Sequence, residues 1–120
     1  MIFKSDKWEL DTEKIAVTNL ESGETTAFHE ACIRLHLHHR EEYSPELLQK
    51  TVDEGNILQY LEDLAEVVRN KIDVQTEMWC EQDKEYLIAN ESGNILRASQ
   101  IKNAYKFTAR DSVYATYIYV

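Results

Sequence analysis

The chain has 120 residues, 43% hydrophobic and 29% charged, with three glycines, one proline and a formal net charge of -9. That length fits one domain, residues 1–120, and the apolar content excludes an acidic disordered tail, which has too little hydrophobic material to offset ordering entropy. The opening MIFKSDKWEL has no secretory pattern, and no run approaches the roughly eighteen apolar residues of a membrane span, so a cytoplasmic protein without membrane contact is expected.

In chain order, Trp8-Glu9-Leu10 and Lys14 to Asn19 favour extended backbone. Glu21-Ser22-Gly23-Glu24 then supplies turn chemistry before Thr25 to Phe28, which predicts an N-terminal β-hairpin. Residues 29–42 suit either a helix or a strand. Ser44-Pro45-Glu46 is a helix start: a hydroxyl at the cap, a proline at the first helical position where its missing N–H costs nothing, and an acid at the positive helix end. That helix is expected to reach about Glu54, with Gly55 as a left-handed cap and Asn56 opening the next helix. The second helix shows the strongest periodicity in the chain, with Ile57, Tyr60, Leu61, Leu64, Val67, Val68 and Ile72 at helical spacing up to about Asp73.

Beyond Asp73 the pattern changes. Thr76 to Gln82 fits a strand or a continued helix. The triplet Glu91-Ser92-Gly93 repeats the chemistry of Glu21-Ser22-Gly23 between Glu85–Asn90 and Asn94–Arg97, which predicts a second hairpin. Ser99 to Ala109 carries Ile101, Ala104, Tyr105 and Thr108 at the spacing of a short helix, and Ser112 to Val120, dense in aromatic and β-branched residues, reads as a terminal strand. The expected architecture is α+β: an N-terminal β-hairpin, a central helical block, a C-terminal hairpin, a short helix and a terminal strand.

Charge is uneven along the chain. Residues 41–91 hold fourteen acids against four bases, whereas residues 92–120 set only Asp111 against Arg97, Lys102, Lys106 and Arg110. A negative middle repels phosphate, so direct nucleic-acid binding is not expected, while the basic surface of a nucleic-acid-binding protein is attracted. Glu54, Glu62, Asp63, Glu66 and Asp73 are the candidate partner-binding residues, with Arg69 expected to pair with Glu66.

No catalytic pattern stands out, and the chain is read as a non-enzyme without a cofactor. His29, Cys32, His36 and His39 share a stripe if residues 29–42 are helical, but the first and last would lie about 15 Å apart, too far for one tetrahedral ion. As a strand, His36 and His38 would share a face. No recognised metal-site spacing results, so no metal is assigned, and a metal-binding enzyme built on the His29–His39 stripe is kept only as an alternative. Adjacent acids such as Glu62-Asp63 diverge on a helix and read as a solvated face, and Tyr114, Tyr117 and Tyr119 read as core residues before they read as a base-stacking platform. Cys32 and Cys80 match small buried thiols in a reducing compartment, with a single bridge between them left open.

His36-Leu37, Glu42-Tyr43, Leu47-Leu48, Gly55, Ile57, Tyr60-Leu61 and Leu64 form a run over about residues 36–68 that resembles small TnpV-like proteins of transposons and conjugative elements. The resemblance implies a mobile genetic element as the source and brings no catalytic residues; residues 74–98, read here as mainly extended, depart from that helical family. The sequence therefore points to a small acidic interaction protein of a mobile element. It would inhibit or modulate a nucleic-acid-binding protein by occupying its basic surface, in the manner of anti-CRISPR or antirestriction proteins. The other alternative is a structural or oligomeric module, a homodimer joined through the apolar helix face.

Overall fold

A computed structural model describes residues 1–120 as four strands followed by five helices, an α+β architecture. The strands are β1 (Ile2–Lys4), β2 (Trp8–Asp11), β3 (Ala16–Asn19) and β4 (Thr25–Ala27), and the helices are α1 (Ala31–Tyr43), α2 (Pro45–Asp53), α3 (Ile57–Gln82), α4 (Lys84–Glu91) and α5 (Ile95–Tyr117).

The strands form an antiparallel meander in the order β1-β2-β3-β4, so the expected hairpin is the centre and far edge of a larger sheet. Phe3 lies opposite Leu10, and Leu10 opposite Val17; all three are buried and turn one face towards the helices. The β2–β3 turn is fixed by the Asp11 carboxylate, which accepts from the backbone N–H groups of Glu13 and Lys14 at 2.9 and 3.1 Å. Those bonds hold the Asp11 carboxyl below its ordinary pKa, the Lys14 amide contributing most. Ile15, in the same turn, has a left-handed φ of 54° and a buried side chain. That conformation costs a β-branched residue roughly 1–2 kcal/mol, and burying its side chain returns about as much or more.

Pro45 opens α2 as expected, although the Ser44 hydroxyl makes no capping bond, and Gly55 adopts a left-handed φ of 77° between α2 and α3. Helix α3 passes Asp73 and continues to Gln82, so residues 74–82 are helical. The C-terminal hairpin and the terminal strand are not present. Residues 84–91 form α4 and residues 95–117 form α5, joined by a turn in which Gly93 is left-handed and the Asn94 side chain accepts from the Arg97 N–H at 3.2 Å. The second Glu-Ser-Gly is thus a helix end followed by a helix start, because a left-handed glycine closes a helix as readily as it turns a hairpin. The β-rich terminal run is helical because Ala109, Val113 and Tyr117, four apart, form one inward row on α5.

The main core lies at one end of the molecule. Leu10 and Val17 from the sheet, Ile33 and Leu37 from α1, Leu48 and Val52 from α2, Ile57 and Leu61 from α3 and Ile118 after α5 belong to one buried cluster. Further along the antiparallel α3–α5 pair the buried residues are mostly small, Thr76, Cys80, Ala98 and Ala109 beside Ile101, and α4 adds Ala89. A slender helical arm therefore projects from a packed body, and the molecule measures 58 × 29 × 20 Å.

Candidate functional site

Helix α3 turns Leu61, Ala65 and Val68 into the protein, and at 3.6 residues per turn the opposite side receives Glu62, Asp63, Glu66, Asp73 and Glu77, all exposed. From Glu62 to Glu77 this ridge is about 22 Å long. Asp63 accepts a hydrogen bond from the Gln59 side chain at 2.7 Å, and none of the five carboxylates has an ion-pair partner within 4.0 Å. Arg69 approaches Glu30 at 4.0 Å instead of Glu66, so the expected pair within α3 is replaced by one to the start of α1.

Four of the five expected partner-binding residues thus share one face. Glu54 does not. It follows α2, lies 4.0 Å from Lys50, and borders a separate groove of about 600 Å³ with Asp6, Lys7, Trp8 and Asp53. Glu77 extends the ridge beyond the expected helix end; its signal in the sequence is the spacing of four that continues from Asp73 through Glu77 to Glu81.

The cationic segment meets the ridge only at its far end. Arg97 is held by Glu85, and Arg110 lies 3.3 Å from Asp111. Lys102 comes nearest, sharing a small hollow with Glu77 and Glu81 at the far end. Lys106 and Arg110 line a different groove of about 480 Å³ with Ile72, Asn103, Phe107 and Tyr114, where the Arg110 guanidinium sits 5.0 Å from the centre of the Phe107 ring.

The histidine stripe is taken apart by the fold. His29 precedes α1, His38 is exposed, and His39 packs against the rings of Tyr43 and Tyr119 at 4.8 and 5.7 Å. His36 is fully buried, its Nδ1 2.8 Å from the Ile118 carbonyl and its Nε2 2.7 Å from the Tyr60 hydroxyl. A carbonyl only accepts, so Nδ1 carries the proton and Nε2 accepts from Tyr60. With both ring nitrogens engaged, His36 is a structural bolt joining α1, α3 and the end of the chain. Burial pushes its pKa below the usual 6.5, against the opposing pull of the Ile118 carbonyl. No three His, Cys, Asp or Glu side chains are grouped to hold a metal ion, so the stripe does not assemble the site that the metal-enzyme alternative requires.

Cys32 and Cys80 are free and buried, and burial raises both thiol pKa values, which leaves them poor nucleophiles. Tyr114 and Tyr117 are half-buried against the core as expected, with Tyr114 also bordering the Phe107 groove, whereas Tyr119 is 47% exposed and is not a core residue. No helix is long and apolar enough to cross a membrane. No protein-family model, curated protein or solved structure matches the chain.

Proposed function

We propose that the protein is a small acidic inhibitor or modulator from a mobile genetic element, which lays the α3 ridge into the basic groove of a nucleic-acid-binding protein and thereby excludes nucleic acid. The observation that supports this most is the run of Glu62, Asp63, Glu66, Asp73 and Glu77 along one exposed helix face without an ion-pair partner. A rigid helix holds those charges in a fixed row, so little side-chain ordering is needed beyond the carboxylates themselves. Six acids from Glu62 to Glu81 fall within about 29 Å, one per roughly 5 Å, against about 3.4 Å per phosphate along one DNA strand. The row is sparser than a phosphate backbone but of the same order, which suits electrostatic competition for a groove shaped to DNA. The mobile-element origin rests on the TnpV-like run over residues 36–68, which spans the end of α1, all of α2 and the first half of α3.

The test is protection of plasmid DNA from a panel of restriction and RNA-guided nucleases. The protein is expected to slow at least one enzyme, and Glu62→Lys/Asp63→Lys/Glu66→Lys to lose most of that effect. Equal inhibition by the parent and the triple variant would refute the ridge as the active surface, and absence of inhibition across the panel would refute the nuclease-directed reading.

A further inference from the structure

The apolar face of α3 through which a homodimer is expected, Ile57, Leu61 and Val68, is buried in the core. One turn further on, Ile72 is half-buried and borders the open groove of about 480 Å³ between α3 and α5. Asn103, Lys106, Phe107, Arg110 and Tyr114 complete that groove, and their spacings of three and four put them along one side of α5. The volume is in the range of small-molecule sites.

Its lining runs against the composition of the chain. The sequence has 22 acids and 13 bases, yet the groove is bordered by two cations and no carboxylate. Lys106 has no acid within 4.0 Å. Arg110 meets only Asp111, 3.3 Å away, and that carboxylate lines the adjoining hollow, beyond the wall that Arg110 and Tyr114 form between the two. Of the five N–H donors on a guanidinium, one bonds Asp111 and the others bond no protein acceptor. The guanidinium lies 5.0 Å from the centre of the Phe107 ring and 5.9 Å from that of Tyr114. Held there by cation–π attraction, it has already given up rotamer freedom that binding would otherwise cost. Phe107 itself is 57% exposed.

Two properties of a matching ligand follow. A guanidinium fork fits a carboxylate in bidentate geometry, Lys106 one turn away supplies a second charge-assisted contact, and Ile72, Phe107 and Tyr114 offer an apolar bed on which a ring stacks. Charge sets the number of anionic groups: Lys106 and Arg110 less Asp111 leave one net positive charge, which a monoanion neutralises. A phosphate monoester, with close to two negative charges, would overcompensate on a molecule already at -9. We propose that the α5 groove binds a small aromatic carboxylic acid, its carboxylate on Lys106 and Arg110 and its ring against Phe107. The groove shares no residue with the acidic ridge, so this site is independent of the proposed partner contact.

Equilibrium dialysis of the full chain against 2-naphthoate, at neutral pH and low salt, tests the proposal. One saturable site per chain is expected. The uncharged 2-naphthamide should bind at least about tenfold more weakly, and the saturated decahydro-2-naphthoate about threefold or more. Lys106→Gln and Phe107→Leu, both at exposed positions, should each weaken 2-naphthoate by about threefold or more with unchanged helical circular dichroism. Lys102→Gln, on the same helix but outside the groove, should bind as the parent does. Absence of saturable uptake at millimolar concentrations overturns the proposal, as does equal binding of the acid and its amide. A loss in Lys102→Gln as large as in Lys106→Gln would replace the groove with general attraction to the basic tail, and adenosine monophosphate binding more tightly than 2-naphthoate would replace the carboxylic acid with a nucleotide; either result overturns it. The ridge variant Glu62→Lys/Asp63→Lys/Glu66→Lys should bind 2-naphthoate at least as well as the parent, so loss of nuclease inhibition and loss of ligand binding are separately readable.

Discussion

His36 shows how much one side chain can carry in a small fold. Its ring closes a bridge from α1 to the Tyr60 hydroxyl on α3 and to the Ile118 carbonyl, and Arg40 adds a 3.0 Å bond to the Val120 carbonyl one turn further along α1. Replacing His36 by alanine opens a cavity and leaves two buried polar groups unpaired, which should cost about 2–4 kcal/mol in urea denaturation. The ring is neutral when folded, while an unfolded histidine gains its proton near pH 6.5. The unfolded state therefore binds more protons below that pH, and the parent should lose stability as pH falls from 7 through 6.5 towards the lowered folded value. Denaturation curves at pH 7.5 and 5.5 are expected to show this loss in the parent and a smaller one in His36→Ala; equal slopes would contradict the neutral bolt. In the sequence, the same residue was legible only as one member of a polar stripe, because burial and partners more than twenty positions away leave no local mark.

At the scale of elements, the α3–α4 corner is held by Asp83. Its carboxylate caps α4 by accepting from the Tyr86 N–H at 2.9 Å and also accepts from the Tyr105 hydroxyl on α5, whose ring packs on Trp79. The Tyr105 bond, with help from the Tyr86 amide, holds the Asp83 pKa below its usual 3.8. A carboxylate with a lowered folded pKa stabilises the fold above its ordinary pKa, and that contribution disappears as pH falls through the lowered value. Asp83→Ala should therefore melt at a lower temperature than the parent at neutral pH, with the gap narrowing well below pH 3.8; a constant gap would assign the effect to packing alone.

The sequence was readable where local rules agreed with packing. The extended runs at Trp8 to Leu10 and Ala16 to Asn19, the Pro45 start, the Gly55 break and the periodicity from Ile57 to Ile72 all correspond to structure, although Ser44 makes no cap and Lys14-Ile15 is turn. The second half misled because its cues serve two structures: Glu-Ser-Gly turns a hairpin at Gly23 and ends a helix at Gly93, and the aromatic run near Tyr114 is strand-like until Val113 and Tyr117 are counted four apart. Of the candidate site, helical spacing alone was enough to place Glu62, Asp63, Glu66 and Asp73 together. Glu54 falls outside this face because Gly55 separates it from α3, and Glu77 lies past Asp73, where the change of pattern gives no sign that the helix continues.

For the molecule as a whole, length, charge and exposed apolar surface fall on different parts. The body supplies stability through its core, and the arm adds reach at the expense of compactness, since apart from Ile101 its buried residues are small. The proposed partner contact uses the charged side of α3, so screening by salt is predicted to weaken it. The most direct measurement is capture of nucleic-acid-binding proteins from a bacterial lysate on the immobilised chain, at low and high salt, beside Glu62→Lys/Asp63→Lys/Glu66→Lys. Basic nucleic-acid-binding proteins held by the parent at low salt, and released both by high salt and by the triple variant, are the predicted result. The same set of proteins on parent and variant, or binding indifferent to salt, would contradict an electrostatic grip by the α3 ridge.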